Sequence, residues 1–384
     1  MLDYIVSTEL IKIKEKVKFS ICTVLILFAA INALALFPGN AQNLRQFDFE
    51  GLIWSTDDPD FEKNRDGLLL KNGIAFPINL FGDQGTLEVE MKPLSQRAFA
   101  GLIFHLNPME KTYEEVFLRF HKSGQPDALQ YSPVYYGFTN WQLYPEYQAV
   151  VGLETAGWNS LKIEFNRTIA RIFVNGSQTS VLVIDPLRQN SPQSVQFGIR
   201  ALGETLFRNF SFKTIPDGFK ESEPVFSNPA DGIISNYKIS PLQHTDWPPL
   251  TVPAQDKLGF HTVYTEPDGL LNVSAFVPKS IGDQFSQNPF EYVWLRIGVF
   301  CEEAQRKALA FEYSDKAVLF FNGNKYFEGD NSFRKKGVLF RGDFDKTLDS
   351  QKIYLDLEKG ENVVLIALGA KANGWGFMAR WLEN

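Results

Sequence analysis

The chain has almost no cysteine, and this removes several kinds of site at once. Two cysteines occur among 384 residues, Cys22 and Cys301. Cys22 lies in an N-terminal segment that we predict below to be a signal or an anchor, so Cys301 stands alone in the body of the protein. A single thiol forms no intramolecular disulfide, no cysteine-based zinc site and no redox pair. Cys301 lies in an apolar, strand-like run, and we predict it to be a small core residue.

The sequence also lacks the short motifs of common nucleophilic and metal-dependent enzymes. It has no Gly-x-Ser-x-Gly elbow, no glycine-rich phosphate loop and no His-Glu-x-x-His pair. The four histidines are scattered along the chain, at His105, His121, His244 and His261. This spacing does not predict a zinc site, and no cofactor is predicted.

Basic residues are outnumbered and form no stripe. The chain has 38 Lys and Arg against 45 Asp and Glu, which gives a formal net charge of −7. Residues 1–41 carry four lysines and three acids, so the charge without them is −8. Because an acidic chain repels phosphate backbones, no nucleic-acid partner is expected.

The first 41 residues have the pattern of a targeting segment. Four lysines at positions 12, 14, 16 and 18 precede the uncharged run 19–37, and small residues lead up to Ala41. This order is typical of a secretory signal peptide cleaved after Ala41. The run of 19 residues is also just long enough to cross a bilayer, so an uncleaved membrane anchor stays an alternative. Both interpretations predict an extracytoplasmic protein, whether secreted, periplasmic or on the cell surface.

Long amphipathic helices are missing, and short strands dominate the rest of the chain. Apolar and polar residues alternate with period two in four segments, 85–92, 158–165, 170–174 and 195–199. Turn residues such as Asn175-Gly176 separate these segments. The best helical window, 302–308, spans about two turns. The pattern predicts an all-β chain of β-sandwich or jelly-roll domains.

The strand pattern divides the chain into two parts. An alternating strand at 206–212 closes the first part, and the segment after residue 216 loses its apolar pattern and gains Pro, Gly and charge. We therefore predict a first domain at 42–214, a linker at 215–228 and a second domain at 229–384.

The first domain resembles concanavalin A-like (laminin-G-like) jelly rolls. The resemblance rests on short segments at 85–92, 99–106, 158–163, 172–176 and 207–210. It implies a lectin-like or glucanase-like sandwich. Catalytic members of that class carry a Glu-x-Asp-x-x-Glu type of motif, and its absence here disfavours catalysis by this domain.

The C-terminal part resembles galactose-binding-like jelly rolls of the kind appended to glycosidases. Residues 318–323, 357–363 and 375–380 carry the resemblance. Such domains serve as carbohydrate-binding or structural modules around secreted enzymes, and the resemblance implies a role of this type here.

Glu88 and Glu90 could be the carboxylate pair of a glycoside hydrolase. Glycoside hydrolysis needs two carboxyl groups about 5–5.5 Å or 6.5–9.5 Å apart. Their Cα atoms, two residues apart on a predicted strand, would be separated by roughly 6.7 Å. Leu87, Val89 and Met91 alternate with them. This alternation predicts the polar face of a half-buried strand rather than a catalytic pair.

Two acidic loops could hold a structural calcium, because loop carboxylates supply the oxygens that hard cations need. One loop carries Asp57, Asp58, Asp60 and Asp66, and the other carries Asp343 and Asp345. Surface loops are more often acidic for solubility, so a structural calcium is possible but no metal ligands are assigned.

The most informative region is 117–144, which combines flat rings with fixed hydrogen-bond donors on what we predict to be three short β segments. On the predicted strand 115–121, Phe117, Arg119 and His121 share one face and Val116, Leu118 and Phe120 share the other. Rings cover the apolar face of a sugar, while amides and guanidinium groups hold its hydroxyls. The predicted ligand-binding residues are Arg119, His121, Gln130, Tyr131, Trp141, Gln142 and Tyr144.

We therefore expect a secreted or envelope-associated carbohydrate-binding protein with a polysaccharide or glycan ligand. One alternative is a glycan-acting hydrolase with loop carboxylates, so whether the protein is an enzyme stays open, with no catalytic residue assigned. A second alternative is an extracellular protein-interaction scaffold, in which the Arg119 face would be covered or flat. An uncleaved segment 19–37 would add membrane association.

Overall fold

Strands make up nearly all of the regular structure, and every strand pair described is antiparallel. The computed structural model describes residues 44–189, 195–215, 231–244, 247–279, 291–371 and 374–383. The predicted signal or anchor at 1–41, its apolar run 19–37 and most of the predicted linker lie outside these residues. Within the described ranges, no helix has both the length and the apolar character needed to cross a membrane.

The first fourteen strands form one sheet, which we call the N-terminal sandwich. They are β1 (Arg45–Phe49), β2 (Leu52–Thr56), β3 (Glu62–Lys63), β4 (Leu68–Pro77), β5 (Gly85–Pro93), β6 (Phe99–Asn107), β7 (Thr112–Arg119), β8 (Leu129–Tyr135), β9 (Phe138–Thr139), β10 (Gln148–Ala149), β11 (Asn159–Phe165), β12 (Ala170–Val174), β13 (Leu182–Ile184) and β14 (Gln196–Lys213). Two short 3₁₀ turns, Phe120–Lys122 and Trp141–Leu143, interrupt the strand order.

The long strand β14 folds this sheet over itself. Its first half pairs with β6 and its second half with β5, and the register shifts between Leu202 and Thr205. Gly203 lies in that shift with φ +96°, and a side chain there would contact the carbonyl oxygen of Arg97 at 2.6 Å. Only glycine suits this position, because the left-handed region penalises a Cβ.

The two halves of the folded sheet enclose an apolar core. Alternate residues of β5, Leu87, Val89 and Met91, are fully buried and face those of β6 and β7, such as Leu102 and Leu118. Glu88 and Glu90 lie on the opposite side of β5, and Glu90 forms an ion pair with Arg208 at 2.6 Å. The prediction that these glutamates form the polar face of a half-buried strand is confirmed.

The remaining ten strands form the C-terminal sandwich, a six-stranded sheet facing a four-stranded sheet. They are β15 (Asn236–Ile239), β16 (His261–Tyr264), β17 (Leu271–Asn272), β18 (Glu291–Cys301), β19 (Gln305–Ser314), β20 (Lys316–Phe321), β21 (Asn324–Asp330), β22 (Lys352–Leu357), β23 (Gly360–Ala370) and β24 (Gly376–Leu382). The 3₁₀ turns Gln255–Lys257 and Val273–Ala275 lie between them. Cys301 is buried at the end of β18, as predicted.

The chain is therefore an all-β protein of two β-sandwiches in tandem. The core of the N-terminal sandwich extends to residues of the second sandwich, including Leu270, Phe344 and Leu348. Residues from 46 onward form one compact unit. The boundaries predicted for the two domains stay a prediction.

Three local predictions differ from the structure. The separate strands predicted at 195–199 and 206–212 are one continuous strand, β14, because a bulge rather than a turn joins them. The strand predicted at 115–121 ends at Arg119, so His121 lies in a 3₁₀ turn. The segment 302–308 is not helical, since β19 begins at Gln305.

Candidate ligand-binding site

The candidate site begins with the face of the N-terminal sandwich that points away from its core. Across β6 and β7, Phe99 lies opposite Arg119, and Gly101 lies opposite Phe117. A side chain at Gly101 would come within 1.9 Å of the Val116 carbonyl oxygen, so the close approach of β7 requires glycine there. This register places an aromatic ring beside a guanidinium group at the end of the sheet.

Asp127 holds the Arg119 guanidinium in place. Its carboxylate accepts hydrogen bonds from Arg119 and from Arg341, which belongs to the C-terminal sandwich. Burial would raise the pKa of Asp127, but the two guanidinium groups outweigh it and hold the pKa below its usual value. Arg341 is fixed further by Asp343 at 2.5 Å and by Gln148 at 3.3 Å. The two sandwiches thus share one ion-pair network at this point.

Trp141 completes the arrangement from the 3₁₀ turn after β9. Its ring lies 5.9 Å from the Arg119 guanidinium carbon and 5.6 Å from that of Arg341, both within cation–π range. On the other side, the Phe99 ring lies 5.5 Å from Arg119. Both rings are half-buried. Arg119 is therefore held between two partly exposed rings.

His121 and Arg97 border the same surface. The His121 ring contacts Phe99 edge-on at 5.1 Å, and the Arg97 guanidinium lies 5.6 Å from the same ring. Burial and the cations Arg119, Arg97 and Lys122 lower the pKa of His121 to about 4, so His121 is neutral at pH 7. We call Arg97, Phe99, Arg119, His121, Trp141 and Arg341 the ring–guanidinium patch.

Four buried side-chain nitrogens in and beneath this patch have no hydrogen-bond partner among the described residues. They are Nε of Arg119, Nδ1 of His121, Nε2 of Gln130 and Nε2 of Gln148. Gln130 and Gln148 lie opposite each other on β8 and β10, and Gln130 is itself opposite Phe117. Unmet buried polar nitrogens are costly, so their concentration here shows that polar side chains are packed closely beneath the patch.

Three of the predicted binding residues are buried inside the protein rather than at the patch, so their prediction as ligand-binding residues is corrected. Tyr131 and Tyr144 are fully buried and Gln142 is 2% exposed. The Tyr131 hydroxyl donates to Glu114 at 2.7 Å, and the Gln142 side chain accepts from the Gly374 amide at 3.1 Å. These side chains connect buried polar groups and so are not available to a ligand at the patch.

Arg119, His121, Gln130 and Trp141 are brought together, but Arg119 and Gln130 are themselves mostly covered. Arg119 is 8% exposed and Gln130 2% exposed. A ligand would therefore contact mainly the two rings, His121 and the outer guanidinium groups.

The sequence did not identify Phe99, Asp127 or Arg341 as part of the patch. Phe99 could have been found from the β6–β7 hairpin, since it starts the strand opposite Arg119. Asp127 lies eight positions after Arg119 in the loop that follows. Arg341 comes from a position 214 residues away from Asp127, and no local signal predicts it.

The other candidate sites lack the predicted binding residues or have carboxylates that already accept hydrogen bonds within the protein. A cavity of about 760 Å³ is lined by residues of β1, β3 and β14 and the adjoining turns, and it includes none of the predicted binding residues. Asp57 accepts from the Ile74 amide at 2.8 Å and from Lys111 at 3.0 Å, while Asp58 accepts from three backbone amides. In the described ranges, no three His, Cys, Asp or Glu side chains are grouped to hold a metal. The structural calcium stays a sequence prediction.

No protein-family model matches the chain, and no curated protein matches its sequence. Among solved structures, the chain is similar to the carbohydrate-binding module CBM66 from Bacillus subtilis, with 14% identity over 42% of this chain and 95% of the module, at a TM-score of 0.34. It is also similar to galectin-Ib from Xenopus laevis, with 14% identity over 38% of this chain and 99% of the galectin, at a TM-score of 0.28.

A β-glucanase from Bacillus licheniformis overlaps 46% of this chain and 94% of its own length, with 11% identity and a TM-score of 0.29. Similarity at this level carries no statement of what this chain binds, and the sandwich architecture rests on the strand pairing described above.

Proposed function

We propose that the protein binds carbohydrate at the ring–guanidinium patch. The observation that carries the proposal is the pair of partly exposed rings, Phe99 and Trp141, that flank Arg119, with the guanidinium groups of Arg97 and Arg341 beside them. Rings stack on the apolar face of a pyranose, and the outer guanidinium groups beside them donate hydrogen bonds to its oxygens. A shallow site of this kind binds with a free energy of about −4 to −8 kcal/mol, which is millimolar to micromolar affinity.

The charges around the patch favour an acidic glycan. Arg97, Lys122 and Arg341 surround Arg119, and together these four cations exceed the two acids at the patch, Asp127 and Asp343. The neutral state of His121 adds no charge at pH 7. We infer that the ligand bears carboxylate or sulfate groups, because guanidinium groups bind such planar or multi-oxygen anions well.

Affinity gels with immobilised polysaccharide test this proposal. We expect the protein to be retarded by acidic polysaccharides such as a polyuronate, and less by neutral ones such as β-glucan or xylan. Retardation by the acidic polymer should weaken with added salt, because Arg97 is exposed and Lys122 and Arg341 are partly exposed to solvent. Equal mobility in every gel would contradict carbohydrate binding, and retardation by neutral polymers alone would contradict the acidic class.

A location outside the cytoplasm is part of the proposal, and it rests on the basic and apolar pattern of residues 1–41. The enzyme alternative has less support, because the glutamates considered as a pair form a polar strand face. A panel of chromogenic acidic and neutral glycosides separates the two: binding without turnover is expected. Turnover abolished by one Glu or Asp substitution would favour the hydrolase.

A protein-interaction scaffold is a second candidate, and one observation favours it. Arg119 and Gln130 are largely covered, as a flat or covered face requires. Size-exclusion chromatography with the glycan and with candidate protein partners distinguishes the two. A partner that binds equally well when Trp141 is replaced by Ala would favour the scaffold.

A further inference from the structure

The loop between β21 and β22 has an exposed apolar tip that the glycan proposal does not use. Its residues 332–341 read Ser-Phe-Arg-Lys-Lys-Gly-Val-Leu-Phe-Arg. Leu339 is 90% exposed and Val338 81% exposed, and Leu339 is the most exposed large apolar residue in the described ranges. Two adjacent apolar side chains this exposed make the tip a candidate interaction site.

The loop backbone holds this tip in a defined shape. The Arg334 amide donates to the Phe340 carbonyl at 2.9 Å, and the Phe340 amide donates to the Gly337 carbonyl at 3.0 Å. Gly337 has φ +122°, which is a conformation that favours glycine. At its base, Arg341 is fixed by Asp127 and Asp343. Val338 and Leu339 therefore project outward from an anchored loop.

Cations surround the apolar tip. Arg334, Lys335 and Lys336 are consecutive, in a chain whose net charge is −7. Lys335 lies 3.8 Å from Asp330, whereas Arg334 and Lys336 form no ion pair with any described residue. Their charged groups lie beside the rings of Phe333 and Phe340, at 5.0 and 5.1 Å. Positive charge that forms no ion pair is thus next to the apolar residues, although Lys336 also acts electrostatically on Glu312.

We propose that this loop docks on an anionic lipid surface. Val338 and Leu339 would enter the boundary between headgroups and acyl chains, with Arg334 and Lys336 at the level of the phosphates. Long basic side chains reach that level while their stems stay in apolar surroundings. A convex tip of two side chains suits a bilayer, which has no preformed shape, better than it suits a protein groove. The proposal does not depend on glycan binding.

Site-specific fluorescence on the full chain tests the proposal, because the label reports lipid contact at its own position rather than attachment through residues 19–37. With Cys22 replaced by Ser and Cys301 buried, Leu339→Cys gives one accessible thiol for a bimane label. The matched control is Leu250→Cys, since Leu250 is 83% exposed but far along the chain from the loop. Vesicles contain phosphatidylcholine alone or about one third phosphatidylglycerol, with brominated acyl chains as a quencher.

We expect the label at position 339 to shift to shorter wavelengths and to be quenched with anionic vesicles, but not with neutral ones. The label at position 250 should not respond. Arg334→Gln with Lys336→Gln should weaken the response at least about ten-fold in lipid concentration, because two cations near the surface are lost. The matched double variant Lys257→Gln with Lys359→Gln, in exposed positions, should leave it unchanged. No response at position 339, or equal responses at positions 339 and 250, would overturn the proposal.

Discussion

Tyr144 of the N-terminal sandwich donates its hydroxyl hydrogen to the carboxylate of Glu266, which lies 122 positions further along the chain. The same hydroxyl accepts a hydrogen bond from Asn272 at 3.0 Å. Arg188 forms an ion pair with Glu266 at 2.6 Å, and its guanidinium group lies 5.0 Å from the Tyr144 ring. Burial raises the pKa of Glu266, and Arg188 opposes that rise. This buried polar network connects the N-terminal sandwich to the C-terminal sandwich.

Replacing Tyr144 by Phe should destabilise the protein by about 1–3 kcal/mol, because Glu266 and Asn272 each lose a buried hydrogen-bond partner while the ring is kept. Urea unfolding followed by tryptophan fluorescence measures the effect. Tyr136, which is 37% exposed, provides the control: its change to Phe should alter stability by less than about 0.5 kcal/mol. Equal effects of the two substitutions would contradict a stabilising network at Tyr144.

Replacing Asp127 by Asn should cost about 3 kcal/mol of stability, since Arg119 and Arg341 would lose the carboxylate they share in a mostly buried position. The exposed ion pair between Arg306 and Asp356, with side chains 67% and 78% exposed, is the matched control. Asp356→Asn should cost less than about 1 kcal/mol. The two free energies of unfolding come from the same denaturant series, and a cost at Asp127 as small as at Asp356 would count against the network.

Glu312 should make stability fall as the pH rises from about 5 to 8. Burial raises the pKa of Glu312 to about 7, against the hydrogen bonds it accepts from the Tyr313 amide and Asn331. The folded pKa lies above the unfolded value, so the stabilising contribution is present at low pH and is lost as the pH rises through the folded pKa. Its full size is about 3 kcal/mol.

Thermal melts of the parent and of Glu312→Gln, taken in parallel from pH 5 to pH 8, measure this contribution. The variant cannot ionise at position 312, so its melting temperature should fall less across that range. Comparing slopes removes the pH-independent cost of the substitution itself. Parallel pH profiles for the two proteins would show that Glu312 ionises at an ordinary pH.

Much of the strand framework could be predicted because alternation is a local property. Leu87, Val89 and Met91 alternate with polar residues, and β5 buries the first set as expected. The prediction of two strands where β14 is continuous failed at Gly203, because a glycine in a bulge resembles a glycine in a turn. Local sequence does not distinguish these two uses.

The binding residues were harder to predict, because the same residue types serve ligands and buried polar contacts. Tyr131 and Tyr144 have aromatic bodies and polar ends suited to sugars, yet their hydroxyls bind Glu114 and Glu266 inside the protein. Trp141 is half-buried, and Arg119 and Arg341 contact its ring from two different sandwiches. Contacts between residues so far apart in sequence leave no periodic signal.

Carbohydrate binding at the ring–guanidinium patch is tested by calorimetric titration of an acidic oligosaccharide into the parent protein, Trp141→Ala and Trp158→Ala. Trp158 is the matched control, since it is half-buried and stacks with Arg208 at 3.8 Å, outside the patch. Loss of the stacking ring at Trp141 should weaken binding by about 1–3 kcal/mol, or roughly 5- to 150-fold, without a matching loss of stability. Trp158→Ala should bind like the parent. Equal affinity in all three proteins would contradict carbohydrate binding at the ring–guanidinium patch.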